Sequence, residues 1–214
     1  MEFDVAALYI DPRGPYAKWP GVWAWDEKAD ARKYAGPFAV VAHPPCSRWC
    51  RLAGLVQARW GHMVGDDGGC FAAALATVRE WGGVLEHPEA SYAFAAHGLN
   101  KPQWRAGWQE AGDGIGKVCC VAQGNYGHRA RKLTWLYAVL LEYPELDWSI
   151  PPPAATLLDW GFRSKEERRK WSRSGAMSRR ENGRARMSQR ERAATPEPFA
   201  ELLLRIARQV QYGS

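Results

Sequence analysis

With 214 residues, 46% of them hydrophobic and 24% charged, the chain has the make-up of one ordinary globular domain or one domain with an appendage, which excludes wholesale disorder and collagen-like repeats. No run approaches the roughly 18 apolar residues of a membrane span, and the amino terminus has an acidic head without a basic stretch; five cysteines, two of them adjacent, make a poor disulfide framework, so a cytoplasmic protein without membrane association is expected. The net charge of +6 is uneven, because Arg163 to Arg192 holds twelve Lys or Arg against four Glu and leaves a surplus of about −2 for the remainder. A near-neutral body with a strongly basic segment suits a partner that carries phosphates, and Arg179, Arg180, Arg184 and Arg186 are the candidate DNA contacts; a solvated helix or arm is the plainer alternative.

Val5 to Ile10 reads as a short apolar strand, closed by the turn residues Asp11-Pro12-Arg13-Gly14-Pro15. A second strand is expected over Val22 to Trp25. Pro37 to Ala42 looks like a buried strand that stops at His43-Pro44-Pro45-Cys46, since two prolines cannot continue a central ladder. Asp66 or Asp67 can cap a helix through Phe71, Leu75 and Val78 to Trp81; Gly82-Gly83 ends it, and Val84-Leu85 begins a strand that stops at Glu86-His87-Pro88. A weaker helix is expected from Glu89 to Ala96, then a Gly- and Trp-rich loop that could act as a lid. The apolar runs Val118 to Ala122 and Leu133 to Leu141 flank a polar connection and suggest a hairpin. Pro151-Pro152-Pro153 marks a boundary between a body at 1–150 and a segment at 151–214; the latter ends in a helix, started at Thr195-Pro196, whose Phe199, Leu202, Leu203, Ile206 and Val210 should pack back on the body. Alternating strands and helices predict an α/β sheet with its ligands at the carboxyl ends of the strands.

A Cys on a proline-fixed turn, a Glu after the next strand and an Arg-x-Arg pair later form a set with chemical meaning. Carbon 5 of a pyrimidine becomes nucleophilic once a thiolate adds to carbon 6. A carboxylic acid at ring N3 drains charge from that adduct, and a cation steadies thiolate and substrate.

On these residues the chain resembles the DNA cytosine-5 methyltransferases. Their Pro-Pro-Cys nucleophile motif stands here as Pro44-Pro45-Cys46, and their Glu-Asn-Val motif as Glu86-His87-Pro88 with only the Glu kept. Their Gln-x-Arg-x-Arg motif stands as Gly127-His128-Arg129-Ala130-Arg131, with both arginines kept and the Gln lost. The resemblance runs from about Phe38 to Leu140 and implies a Rossmann-like methyltransferase-type sheet, shortened at the cofactor side, because the Gly-rich loop is replaced by Tyr9 to Tyr16 with one glycine and two prolines. It implies modification of carbon 5 of cytosine in DNA through a covalent Cys adduct, with Cys46 as nucleophile, Glu86 as the N3 acid, and Arg129 and Arg131 as anchors. S-adenosylmethionine is the implied cofactor, with Asp11, Gly14, Asp26 and Pro44 as candidates to hold it and no metal. Pro45, Ser47 and His128 are candidates to touch the substrate, and the loop Gln103 to Trp108 could fill the gap left by a flipped base. Small size and the shortened cofactor region resemble a streamlined, phage-encoded member.

Three other readings stay open. A catalytically inactive descendant would bind DNA through the basic segment alone. A thymidylate-synthase-like enzyme would attack free pyrimidine nucleotides and take its carbon from a folate. His43, Cys46 and Cys50 could instead begin a zinc site completed by His62, Cys70 or His87.

Overall fold

Strand residues alternate between two faces with period two, and the fold follows from how each face is covered. The computed structural model describes residues 2–51, 53–149, 151 and 189–212. Their strands are β1 (Val5–Leu8), β2 (Val22–Trp25), β3 (Ala39–Ala42), β4 (Gly83–Pro88), β5 (Gln109–Glu110), β6 (Lys117–Ala122) and β7 (Leu133–Val139). The helices are α1 (Ala53–Trp60), α2 (Cys70–Trp81), α3 (Tyr92–Ala96), α4 (Gln189–Ala193) and α5 (Glu197–Arg208). They form an α/β fold on a mixed sheet of seven strands, ordered β2-β1-β3-β4-β7-β6-β5, compatible with a Rossmann-like arrangement.

Ala6, Leu8, Val40, Ala42, Leu85, Val118, Cys120, Trp135 and Tyr137 face the side covered by α2, whose Phe71, Ala74, Leu75 and Val78 are buried there. Val5, Ala7, Val41, Val84, Cys119, Val121, Leu136 and Ala138 face the opposite side and pack on Phe199, Leu203 and Ile206 of α5. The final helix therefore belongs to the same core as the body and is not a separate folding unit. Thr195 provides no cap: α5 begins after Pro196 without a side-chain cap bond. Arg163 and the other basic residues up to Met187, including Arg179, Arg180, Arg184 and Arg186, lie outside the described residues.

Strands β2, β1, β3 and β4 run parallel, and β7 is antiparallel to both β4 and β6. Two reversals restore direction, so β6 ends on the same edge as β4. The residues after β1, β2, β3, β4 and β6, together with those that open β7, thus share one carboxyl edge. Gly83 sets the approach of β3 to β4: at φ +112° its added Cβ would lie 2.0 Å from the Val40 carbonyl oxygen, so only glycine fits.

The connections on the β1–β2 side are short. Single turns at Pro15–Lys18 and Ala31–Lys33 stand where full helices would cover a longer fold. The 103–108 loop is not a free lid. Trp104 bridges to Cys120 and packs on the core, and Trp108 Nε1 donates to the Pro144 carbonyl at 2.9 Å. Tyr92 of α3, 49% exposed, is instead an exposed aromatic tied to the Cys46 turn, its N bonding the Trp49 carbonyl at 2.8 Å. Among the described residues no helix is long and apolar enough to cross a membrane.

Candidate active site

Beyond β3, His43 N still bonds the Leu8 carbonyl at 3.1 Å, but Pro44 and Pro45 end the ladder. The chain then turns, and the Cys46 carbonyl accepts from Trp49 N and Cys50 N, both at 3.0 Å. Behind this turn Trp49 Nε1 donates to Asp67 Oδ2 at 2.8 Å, and the same oxygen accepts from Phe71 N. The turn is thereby tied to the start of α2, and Cys46 is left half-buried at the carboxyl edge.

Glu86 was expected where the strand ends but lies within β4, which runs on to Pro88, and stands opposite Leu136 of β7. Alternation separates it from its neighbour. His87 points to the α2 side, fully buried against Phe71 and hydrogen-bonded to Ser91 Oγ at 2.7 Å, and burial lowers its pKa to about 4. Glu86 points to the α5 side, where the carboxyl edge gathers its partners. His43 Nδ1 donates to Oε2 at 3.0 Å, Gln123 Nε2 donates to Oε1 at 3.1 Å, and the Thr134 hydroxyl makes a close bond to Oε1. On its other side the His43 ring meets the buried phenol of Tyr16, with Nε2 and the hydroxyl 2.8 Å apart.

Burial alone would raise the Glu86 pKa, but the hydrogen bond and charge of His43, the charge of Lys132 and the Thr134 hydroxyl outweigh it and bring the pKa down to about 2. Cys46 moves the other way. Burial first, then the charges of Glu86 and Cys50, push its thiol up to about 11 against the pull of Lys132. Cys46 and Glu86 are therefore close enough to feel each other's charge, and at rest the proton sits on sulfur and not on the carboxylate.

The cation that acts on both groups is Lys132. Burial lowers its pKa while Glu86 and Cys46 oppose the change, and its Nζ donates to the carbonyls of Ala194 and Ala193 at 3.1 and 3.5 Å. The two expected arginines are placed elsewhere. Arg129 pairs at 2.8 Å with Glu191 of α4, with both side chains 44% exposed, and Arg131 is half-buried with Nε lacking a hydrogen-bond partner among the described residues. His128 is a buried brace of its own turn, with Nδ1 accepting from Ala130 N at 3.0 Å, and Ser47 and Pro45 are exposed. Gln123 Oε1 is buried beside the carboxylate without a partner among the described residues.

Along the same edge a cleft of about 650 Å³ opens beyond β1 and β2, lined by Tyr9, Ile10, Asp26, Glu27, Asp30, Ala31, Arg32, Pro45 and Cys70. Of the four residues expected to hold a cofactor, only Asp26 lines it; its Oδ1 caps its own turn by accepting from Lys28 N and Ala29 N. Asp11 and Gly14 form a separate surface turn joined by Gly14 N to the Asp11 carbonyl at 2.7 Å, and Pro44 is buried behind Pro45. Tyr9 takes the left-handed backbone, at φ 58°, where a glycine would be easiest. Among the described residues no group of three or more His, Cys, Asp or Glu is arranged to hold a metal ion.

No family model, curated protein or solved structure matches this chain. The chemistry of the edge is accordingly argued from its own residues. His43 was read from the sequence only as a possible zinc ligand, and Gln123, Lys132 and Thr134 were not singled out, although period-two spacing was a signal for these three. Gln123 continues the Cys119–Val121 face, and Lys132 and Thr134 share the face of Leu136.

Proposed function

We propose that the chain is a cytosine-5 methyltransferase-like enzyme that acts on DNA through Cys46 and Glu86. The observation that carries the reading is the meeting of Cys46 and Glu86 on one carboxyl edge, with Lys132 acting on both and three hydrogen bonds fixing the carboxylate. In the addition step a bond forms between Cys46 Sγ and ring carbon 6, the carbon 5–carbon 6 π electrons move onto carbon 5, and Glu86 delivers a proton to N3. The thiol proton leaves to solvent as the sulfur attacks. Lys132 steadies the developing thiolate. Gln123 Oε1, buried without a partner among the described residues, would be an acceptor for the exocyclic amine beside N3, a group that cytosine has and thymine lacks.

The cleft beside Pro45 fits S-adenosylmethionine in charge, since Asp26, Glu27 and Asp30 outnumber Arg32, which is already paired with Asp30 at 2.7 Å. Asp26, Ile10 and Pro45 would hold it, and when bound it supplies a methyl group made electrophilic by a sulfonium. The basic segment would hold DNA by its phosphates, positioning the strand without reading sequence. A reducing cytoplasm suits the free cysteines.

The test is covalent trapping. Oligonucleotides that carry 5-fluorocytosine should form an adduct with the wild-type protein in the presence of the methyl donor, mapped to Cys46 and absent in Cys46→Ser. An adduct with free 5-fluoropyrimidine nucleotide but not with DNA would assign the site to nucleotide chemistry, and DNA binding without any adduct would leave an inactive binder.

A further inference from the structure

Glu86 must carry a proton to act on N3, yet its surroundings favour the carboxylate. Three side chains bond it, and two of these, the Thr134 hydroxyl and the Gln123 amide, do not titrate in the physiological range. The third is His43, at 3.0 Å, with both side chains only 12% exposed. The Cys46 thiol makes no hydrogen bond to Glu86 among the described residues, so it offers no direct route for the proton. The His43 ring is held from behind by Tyr16, whose hydroxyl is 2.8 Å from Nε2 and whose ring lies 5.3 Å from the imidazole. Burial and then Glu86 keep the Tyr16 phenol in its neutral form, so Tyr16 orients the ring and does not supply the proton.

The geometry points to His43 as the group that loads Glu86 with its proton, with Tyr16 as a positioning residue. The inference rests on the proposed reading of the site. The imidazolium, protonated on both nitrogens, passes its Nδ1 proton to Glu86 Oε2. The products are a neutral imidazole that keeps Nε2–H toward the Tyr16 oxygen and a carboxylic acid facing N3. When the N3 proton returns to Glu86 at the end of the cycle, it passes back to Nδ1, and the pair is reset without an outside acid. Charged and titratable groups that bear on this pair are Tyr16 from the turn after β1, Cys46 from the turn after β3, His87 within β4, and Lys132 before β7. His43 directly precedes Pro44-Pro45-Cys46, so the nucleophile and the proton source stand on one segment.

The experiment uses His43→Asn in the full chain, because the Asn amide nitrogen overlies Nδ1, keeps a donor for Glu86 and cannot release a proton; His43→Gln serves if the Asn variant does not fold. In wild type the Nδ1 proton should give a far-downfield proton resonance that disappears in His43→Asn and in Glu86→Gln. Absence of that resonance in wild type overturns the pairing, whatever the protein acts on. In single-turnover trapping with 5-fluorocytosine DNA, His43→Asn should slow adduct formation by roughly 10²-fold. Alkylation of Cys46 should stay as in wild type. Tyr16→Phe should shift the resonance and slow the adduct less than His43→Asn does. A His43→Asn protein with the wild-type rate overturns the proposal, whereas a wild-type protein that shows the resonance but forms no adduct sinks the cytosine reading and leaves the shared proton standing.

Discussion

The two halves of the carboxyl edge are built to different standards. Around Glu86 of β4 every carboxylate oxygen is hydrogen-bonded, by residues just beyond β3 and β6 and within β7, and the Cys46 turn is braced through Trp49 and Asp67 to α2. Beyond β1 and β2 the cleft is open and acidic, its crossovers are single turns, and Asp26 is fixed mainly by its own backbone. Covalent addition demands placement within fractions of an ångström, and long-range hydrogen bonds supply that. On the proposed reading, holding a cationic donor demands mostly charge and volume, which short crossovers can provide, whereas the nucleophile needs the tighter bracing.

The sharpest way to break the comparison is at the braced half. Cys46→Ser should eliminate trapping on 5-fluorocytosine DNA while thermal unfolding stays near wild type, because the hydroxyl is similar in size but far less acidic; a collapsed melting temperature would make the thiol structural. Glu86→Gln keeps the shape and loses the acid, so single-turnover adduct formation should slow by roughly 10²-fold. An unchanged rate would remove Glu86 from the reaction.

The same substitution sharpens the picture through acid stability. The folded pKa of Glu86, about 2, is depressed from its ordinary 4.5, so the stability it contributes is present above pH 4.5 and is lost as pH falls toward 2. Its size is about 3 kcal/mol, at roughly 1.4 kcal/mol per pKa unit. Urea unfolding should show wild type and Glu86→Gln converging over that window; parallel curves would mean that the carboxylate is not held as described. His87, depressed by burial from 6.5 to about 4, destabilises the fold at the start of the descent, and more in Glu86→Gln, which lacks the Glu86 charge that opposes this depression.

At the open half, Asp26→Asn should weaken donor binding by roughly tenfold, the size expected for a charge-assisted hydrogen bond, and leave Cys46 alkylation unaltered. Equal loss of both would mean that the two halves are not independent. The smallest expected effect separates Lys132 from the arginines. Lys132→Gln should slow Cys46 alkylation near neutral pH by about threefold, because the cation that favours the thiolate is gone, while Arg129→Gln, which cuts the surface pair with Glu191, should not change it. The reverse result would return the role to Arg129.

Much of this protein is legible in its sequence because local physics decides it. Pro44 and Pro45 must end a strand, so Cys46 must stand at a strand end; Gly82-Gly83 must stop α2; Phe199, Leu203 and Ile206 recur at helical spacing and so form a buried stripe. Strand β2 was read with the bounds it has, and the hairpin of β6 and β7 follows from two apolar runs around a polar connection. Helix α1 was missed because its residues carry only a weak apolar pattern, and β5 because two residues show no period at all.

What the tertiary structure alone decided is which side chains meet. Pairing β7 between β4 and β6 is a long-range choice that no local pattern encodes, and it is this pairing that brings Thr134, Lys132 and Gln123 to Glu86. Arg129 and Arg131 matched a spacing, but their neighbours on the folded surface, Glu191 above all, set where they point. His43 was visible as the residue before two prolines and as a possible zinc ligand, not as a partner of Glu86. Its place depends on Tyr16 arriving from one side and Glu86 from the other, across 27 and 43 positions of chain.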